Sequence, residues 1–177
     1  MKKFAEEAAW HFIASEKPNF DLVTINNTYT FGPVPKSLDN LDNLNTSNHR
    51  IRDLILGHMR SGVQPTAPVF TFVDVRDVAL AHVRALSVPE AGGNRFYLVG
   101  GFFSNPRISQ IIRKGFPQLG NKLPPFDTKD DFPDDHWQYD TTKSKKVLGL
   151  EYIGLEKSVV DTVQSMLDRE EWGILKV

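Results

Sequence analysis

The sequence predicts an α/β protein that has a parallel sheet and a smaller, more helical C-terminal tail. Strand-like segments alternate with amphipathic helices along most of the 177 residues, as in a sheet packed against helices. The first of these strands is apolar on both faces, which is typical of a parallel sheet covered on either side. With 40% hydrophobic and 24% charged residues, the chain has the composition of one globular unit, which we assign to residues 1–177.

The first three elements are a helix, a strand and a second helix. The first helix is expected to begin at the first residue and to end before Pro18, and it carries an apolar stripe at a four-residue spacing, formed by Phe4, Ala8 and Phe12. "FDLVTIN" (residues 20–26) follows as the strand, and the glycine and prolines of "FGPVP" end the extended structure soon after it. Thr46 is the expected N-cap of the second helix. The apolar face of that helix consists of Ile51, Leu54, Ile55 and Met59.

The middle of the chain contains two further strands, each followed by a helix. "VFTFVDV" (residues 69–75) and "RFYLV" (residues 95–99) have the composition of buried strands. Asp74 is the expected N-cap of the third helix, and Asn105 with Pro106 is the expected start of the fourth. The third helix is expected to bury one face, which consists of Val78, Ala81, His82, Ala85 and Leu86.

The C-terminal third begins with an irregular segment and ends in two helices. Residues 117–136 include four prolines and five aspartates, so we expect a mobile surface excursion with a solvated acidic loop at "DDFPDDH". Asp140 or Thr141 caps a short helix that Gly149 closes. The last helix carries the stripe Val159, Val160, Val163, Met166 and Leu167.

Charge and composition argue against several classes of partner. The net charge is -1 and Lys and Arg are not clustered, so we expect neither nucleic acid nor an anionic membrane as a partner. The chain has no cysteine, which fits a reducing compartment, and no apolar run approaches about 18 residues, so we expect a cytoplasmic protein. The five histidines show no metal-ligand spacing, and no metal site is expected.

Two further patterns in the sequence are only weak indications of a functional site. Tyr139 and Lys143 are four residues apart, but Tyr139 is expected to precede the helix, so the two are not expected to act together. The glycines of "VGGFF" (residues 99–103) follow a strand, and we expect a turn there rather than a phosphate-binding loop.

Six motifs occur in the order found in a known enzyme family, and together they span nearly the whole chain. They are "KKFAEEAAW", "TINNTYTFGP", "LNTS", "FVDVRDVALAH", "GNRFYLV" and "KSKKVLGLEY". In these motifs the chain resembles the second half of the extended short-chain dehydrogenase/reductases, especially NADPH-dependent carbonyl reductases of the dihydroflavonol-reductase and methylglyoxal-reductase type. The resemblance implies a partial Rossmann-like parallel sheet with a small, more helical substrate-binding region. It also implies that the N-terminal dinucleotide-binding half is absent from this chain.

The resemblance identifies one catalytic residue. Family members carry a Tyr and a Lys four residues apart at the start of a helix, and Lys-Phe-Ala-Glu follows the Lys, which makes Lys2 the family lysine. Lys2 is therefore expected to be catalytic and to contact NADPH. The matching Tyr is expected upstream of Met1, together with the Gly-rich cofactor loop and the catalytic Ser or Thr.

The resemblance also implies two cofactor contacts at Thr30 and Ser47. The family segment Asn-Pro-x-x-Val-Phe-Gly-Pro lies along the nicotinamide, and here Asn27 replaces its proline and Thr30 its valine. Thr30 would stand at the cofactor-contacting position, whereas Asn27 restores a backbone N–H and loosens φ. Ser47 in "LNTS" matches a residue near the cofactor, and its other interpretation is a surface hydroxyl in the first turn of a helix.

Three functional interpretations remain open. The first is the substrate-side portion of an NADPH-dependent reductase of aldehydes or ketones, inactive alone. The second is a non-catalytic remnant or interaction fragment of the same family. The third, a sugar-nucleotide epimerase, fits "KKFAE" and "VDVRDVALAH" less well. We also expect the isolated chain to be marginally stable, to aggregate, or to self-associate through the face of the first helix and of "LVTI" (residues 22–25) that the other half would cover.

Overall fold

The structure, a computed structural model, describes residues 2–175. The predicted α/β alternation is confirmed in this part of the chain. The helices are α1 (Lys2–Glu16), α2 (His49–Leu56), α3 (Val75–Ser87), α4 (Asn105–Gly115), α5 (Thr142–Leu148) and α6 (Leu155–Leu167). The strands are β1 (Thr24–Asn27), β2 (Tyr29–Phe31), β3 (Thr71–Asp74), β4 (Arg95–Leu98) and β5 (Gly101–Phe102).

The strands form two small sheets that meet at Thr28. β1 pairs in parallel with β4, with Ile25 opposite Phe96. β3 lies between β2, its parallel neighbour, and β5, its antiparallel neighbour. The chain passes from β1 directly into β2 of the second sheet, because only Thr28 separates the two strands. At this junction the Thr28 hydroxyl donates a hydrogen bond to the carbonyl oxygen of Thr71 in β3 at 2.8 Å.

Two apolar clusters fill the space between sheets and helices. The larger lies where α2, α4 and α6 pack on the second sheet, and it contains the buried rings of Phe31 and Phe103. These two rings meet edge to face with their centroids 4.9 Å apart. The smaller cluster joins α3 and α5 to one face of the β1–β4 pair through Ala81, Phe96 and Leu148. Most of the core therefore lies under the second sheet.

Helix α1 lies against the β1–β4 pair and is held there by polar contacts. The Glu6 carboxylate accepts hydrogen bonds from Thr24 at 2.9 Å, Asn26 at 3.3 Å and Arg95 at 2.7 Å. These hydrogen bonds together lower the pKa of Glu6 to about 2, and the bond from Arg95 has the largest effect. Since Thr24 and Asn26 alternate with Ile25, α1 and α3 pack on opposite faces of this pair.

The apolar stripe predicted for α1 faces away from the protein. None of the residues Lys2–Glu16 is buried, and Phe4 and Phe12 are 71% and 49% exposed. Within residues 2–175, β1 pairs along one edge only, with β4. This part of the molecule therefore presents both an exposed aromatic helix face and a strand edge that another strand could pair with.

Asp74 joins β3 to α3 and is fully buried. As predicted, its carboxylate caps α3, accepting a hydrogen bond from the backbone N–H of Arg76 at 2.9 Å. The Arg76 guanidinium donates to both oxygens of Asp74, at 2.8 and 2.9 Å, and to Asp161 of α6 at 2.6 Å. Burial by itself would raise the pKa of Asp74, but the hydrogen bonds from Arg76 lower it below its usual value. These contacts fasten β3, α3 and α6 together.

Replacing Asp74 with alanine is expected to destabilise the fold by about 2 to 4 kcal/mol, because α3 loses its cap and Arg76 its main partner. Since folding lowers the pKa of Asp74, its contribution is complete above the ordinary value of about 4 and is lost as the pH falls below it. Urea unfolding at pH 7 and at pH 3 measures both effects. The control is Asp135→Ala in the acidic loop, and a D74A protein as stable as this control at pH 7 would contradict the assignment.

Several element boundaries differ from the sequence prediction. The strand expected at residues 20–26 begins at Thr24, and β2 in "TYTF" is not anticipated by the sequence pattern. The N-cap of α2 is Asn48 rather than Thr46. α4 begins at Asn105, and its cap is Ser104, whose hydroxyl accepts a hydrogen bond from the third residue of the helix. In both helices a neighbouring polar residue takes the position at which the chain turns into the helix.

The buried face of α3 is also rotated from the expected one. Leu86 is 92% exposed and His82 is exposed, whereas Asp77 and Ala81 are buried. The Asp77 carboxylate accepts a hydrogen bond from the backbone N–H of Ile153 at 3.0 Å. Because this polar contact holds Asp77 inside the protein, His82 and Leu86, which belong to the expected apolar face, lie on the surface.

The C-terminal region confirms the two predicted helices but not a wholly solvated acidic loop. Asp140 caps the start of α5, accepting a hydrogen bond from the Thr142 N–H at 2.7 Å, and Gly149 ends this helix with φ of 60°. Within "DDFPDDH", Asp134 and Asp135 are exposed as expected. Asp130 and Asp131 instead bind groups of the protein, as described below.

Candidate functional site

A cleft of about 420 Å³ opens where β1 and β4 end. Its polar lining consists of Lys2, Asn27, Thr28 and Ser47. Its apolar and aromatic walls consist of Tyr29, Val69, Tyr97 and Trp137. Open α/β sheets bind ligands at the carboxyl ends of their parallel strands, so this cleft is the candidate functional site.

Lys2 reaches the cleft from the first turn of α1. Its side chain is exposed, whereas the neighbouring Lys3 lies 3.6 Å from Glu7 on the helix surface. The Tyr29 hydroxyl in the same cleft accepts a hydrogen bond from Arg50 at 3.2 Å, so this phenol is engaged by Arg50. An ammonium group at the mouth of a cleft can stabilise negative charge that develops on a bound oxygen. The position of Lys2 is thus suited to the role that the resemblance implies.

Ser47 and Thr30 are brought together by the segment that precedes α2. The backbone N–H of Thr30 donates to the Ser47 hydroxyl at 3.1 Å, and the Asn45 side chain donates to the carbonyl oxygen of Thr30 at 2.8 Å. The Asn48 side chain donates to the carbonyl oxygen of Gly32 at 3.0 Å. These side chains bind the edge of β2 that β3 does not pair, where a neighbouring strand would otherwise bind. Ser47 is only 9% exposed, so it is not a surface hydroxyl.

Asn27 and Thr30, at which the family segment is altered, contact each other. The Asn27 amide donates to the Thr30 hydroxyl at 2.8 Å, and this hydroxyl donates to the carbonyl oxygen of Thr28 at 3.1 Å. Thr30 lines a neighbouring cavity of about 260 Å³, while Asn27 lines the main cleft. The two replacements are therefore coupled, and Thr30 orients the amide that faces the cleft.

The aromatic walls are functional candidates that the sequence patterns do not identify. Tyr29 shares a strand with the predicted Thr30, but neither spacing nor composition distinguishes it from a core residue. Trp137 directly follows the irregular acidic segment, and no spacing in the sequence relates it to Lys2. Tyr139 precedes α5, as predicted, and its ring packs against Phe102 with the centroids 5.1 Å apart rather than against Lys143.

Residues 2–175 lack both a metal-binding cluster of side chains and a helix that could span a membrane. No group of three or more His, Asp or Glu side chains in this part of the chain could hold a metal ion. None of the helices described there has both the length and the apolar character that a membrane span requires.

Comparison with known proteins reveals relatives of about twice this length. No protein-family model matches the chain. Ketoreductase azaE of Aspergillus niger is 52% identical over 168 residues, which are 95% of this chain and 50% of the relative. The putative NADPH-dependent methylglyoxal reductase GRP2 of Candida albicans is 38% identical, and the match covers 94% of this chain and 49% of that protein. The chain thus spans about half the length of the curated relatives it matches.

Solved structures give the same result. The crystal structure of Gre2 in complex with NADPH from Candida albicans matches with a TM-score of 0.82 and 38% identity, over 94% of this chain and 50% of that one. Yeast methylglyoxal/isovaleraldehyde reductase Gre2 complexed with NADPH matches with a TM-score of 0.84 and 30% identity, over 97% of this chain and 51% of that one. In sequence and in fold, this chain corresponds to the C-terminal portion of an extended short-chain dehydrogenase/reductase related to the NADPH-dependent carbonyl reductases.

Proposed function

We propose that this chain is the substrate-side half of an NADPH-dependent reductase of aldehydes or ketones, and that it is inactive without a dinucleotide-binding half. The observation that carries the proposal is the position of Lys2, which lines the cleft at the carboxyl ends of β1 and β4. The half-length match to NADPH-dependent relatives supports it. The absence of cysteine suits a reducing compartment such as the cytoplasm.

Lys2 would act by lowering the pKa of a tyrosine that the other half supplies. A phenol has an ordinary pKa of about 10, and a shift of about 3 units, worth roughly 4 kcal/mol, lets it exchange protons at neutral pH. A neighbouring ammonium supplies part of that energy because it favours the phenolate. The phenol would then give its proton to the carbonyl oxygen of the substrate while the carbonyl carbon is reduced.

The residues present fit one end of the cofactor. Lys2 could donate hydrogen bonds to ribose hydroxyls, and the side-chain amide of Asn27 could bind a carboxamide at the wall of the cleft. NADPH supplies a hydride when it is bound. The sequence contains no G-x-G-x-x-G turn for the pyrophosphate, so we assign that contact to the dinucleotide-binding half. We also assign Thr30 and Ser47 to the cofactor side of the site, where they position Asn27 and β2.

The exposed face of α1 supports a second candidate function, that of a non-catalytic interaction fragment. Phe4 and Phe12 are exposed on one helix face, and exposed apolar patches of this kind mark association surfaces. In the isolated chain this face would bind a second copy of the same chain. Both candidates use this surface, since a half-enzyme must also associate to function.

A thermal-shift measurement with NADPH tests the proposed function. The chain alone is expected to show no shift at 1 mM NADPH. The same chain fused to the half of Candida albicans Gre2 that it does not match is expected to melt a few degrees higher with NADPH, because a ligand that binds only the folded state stabilises it. A clear shift for the chain alone would show that the dinucleotide site is complete without the other half, and would overturn the proposal.

A further inference from the structure

We propose that Trp137 is the specificity-determining wall of the cleft and that it selects carbonyl compounds with a flat, apolar substituent. This inference rests on the proposed function, because it assigns the substrate class of the same site. Trp137 lines the cleft together with Lys2, yet it directly follows the acidic segment, about 135 residues further along the chain. It is 47% exposed, so a bound ligand could cover a large part of its indole ring.

The acidic segment is fixed to the protein by two consecutive aspartates. The Asp131 carboxylate accepts hydrogen bonds from the backbone N–H of Thr66 at 2.6 Å and from its hydroxyl at 2.8 Å. Asp130 accepts a hydrogen bond from the Ser104 hydroxyl at 2.6 Å and pairs with Arg107 at 2.6 Å. Thr66 and Ser104 are fully buried, so these contacts join the segment to the core at the start of α4.

An aromatic cluster continues this anchor to Trp137. The Arg107 guanidinium lies over the Phe132 ring, 4.2 Å from its centroid. The His136 ring packs against both Phe132 and Phe102 with centroids 4.7 Å apart in each case. Phe102 in turn meets the Trp137 ring edge-on at 6.4 Å. Trp137 thus contacts the Phe102 ring of this cluster and also lines the cleft.

The remaining walls complete a site for a flat apolar group. Tyr29, Tyr97 and Val69 line the same cleft, so Trp137 adds a third aromatic ring to the apolar part of its lining. The Arg50 guanidinium lies 4.9 Å from the centroid of the Tyr29 ring and fixes that wall. Aromatic groups stack on such walls more strongly than small aliphatic groups, because they bury more apolar area and gain from ring contacts. The volume of about 420 Å³ has room for a benzene-sized substituent beside the carbonyl group.

Ligand-observed NMR on the full chain tests this assignment without NADPH. The probes are acetophenone and acetone, which carry the same carbonyl group with and without a ring. The parent chain is expected to bind acetophenone at least about 10-fold more tightly than acetone. Trp137→Ala should weaken acetophenone binding about 10-fold and leave acetone binding unchanged, whereas Trp137→Phe should retain most of the preference. Circular dichroism of each variant confirms that the fold is intact.

The matched control is Phe126→Ala, because Phe126 is an aromatic residue of the same irregular region, is 78% exposed and does not line the cleft. This variant should bind both probes like the parent. An unchanged preference in W137A, or an equal loss in F126A, would overturn the proposal. Because the assay contains neither NADPH nor hydride transfer, its failure would leave the reductase proposal standing, and the NADPH measurement above tests that proposal separately.

Discussion

Replacing Lys2 with methionine is expected to lower carbonyl reduction by about 10²- to 10⁴-fold in the chain fused to a dinucleotide-binding half. Methionine keeps the length and apolar stem of lysine but removes the ammonium group that would lower the pKa of the tyrosine. The loss should fall mainly on kcat, because Lys2 is exposed and forms little of the apolar wall that binds substrate. Initial rates of NADPH oxidation with isovaleraldehyde measure the effect.

Lys3→Met is the matched control for this substitution. Lys3 is the next residue along the same helix, has the same charge and lies on the surface, 3.6 Å from Glu7. Its replacement should change the rate less than about two-fold, since an exposed i,i+4 ion pair contributes only a few tenths of a kcal/mol. Equal losses in K2M and K3M would indicate a general effect of charge, and an active K2M protein would remove Lys2 from the mechanism.

The second large effect is expected at the exposed face of α1. Replacing both Phe4 and Phe12 with serine should lower self-association of the isolated chain by at least about 10²-fold. Complete burial of a Phe side chain contributes about 1.5 to 3 kcal/mol, and the rings are 71% and 49% exposed. Covering both would therefore contribute about 2 to 4 kcal/mol per chain, and each 1.4 kcal/mol is about tenfold in affinity. Analytical ultracentrifugation over a hundredfold range of concentration measures the change.

Leu86→Ser is the control that distinguishes association through the α1 face from non-specific association through any exposed apolar residue. Leu86 is 92% exposed on α3, which packs on the opposite face of the β1–β4 pair from α1. Its replacement should leave self-association unchanged. A parent chain that is monomeric and melts cooperatively at ordinary concentration would contradict the role assigned to Phe4 and Phe12.

The pattern of apolar residues predicts the α/β architecture well, because core-facing residues recur at a fixed spacing within each helix and each strand. α6 shows this most directly, since Val159, Val163 and Met166 of its predicted stripe are buried. In β4 the buried residues alternate with less buried ones. Asp74 and Gly149 were predictable for a different reason. A capping carboxylate and a glycine with positive φ each perform a local task that the residue type alone reveals.

Features that depend on tertiary contacts were not predictable in the same way. Leu86 belongs to the apolar stripe of α3, but the contact between Asp77 and the backbone of Ile153 decides which face turns inward. β2 is only three residues long, too short for a period-2 pattern, and side chains from residues 45–48 bind its free edge. The helix caps shifted because several polar residues precede each helix and any of them could cap it.

The candidate site was likewise predictable only in part. Lys2, Thr30 and Ser47 come from motifs that the sequence shows, and the structure places Lys2 and Ser47 on one cleft and Thr30 on a neighbouring cavity. The contact between Asn27 and Thr30 accounts for two departures from the family segment that looked independent in the sequence. Trp137 could not have been anticipated, because its position depends on the bonds of Asp130 and Asp131 to groups distant in the chain.

The central claim is that this chain contributes the lysine and the substrate wall of a reductase whose tyrosine and dinucleotide site lie in another half. NADPH oxidation with isovaleraldehyde tests it most directly when the chain is assayed alone and then fused to the half of Candida albicans Gre2 that it does not match. We predict no turnover above background for the chain alone and clear turnover for the fusion. Turnover by the chain alone, or a folded fusion that binds NADPH and remains inactive, would contradict the account.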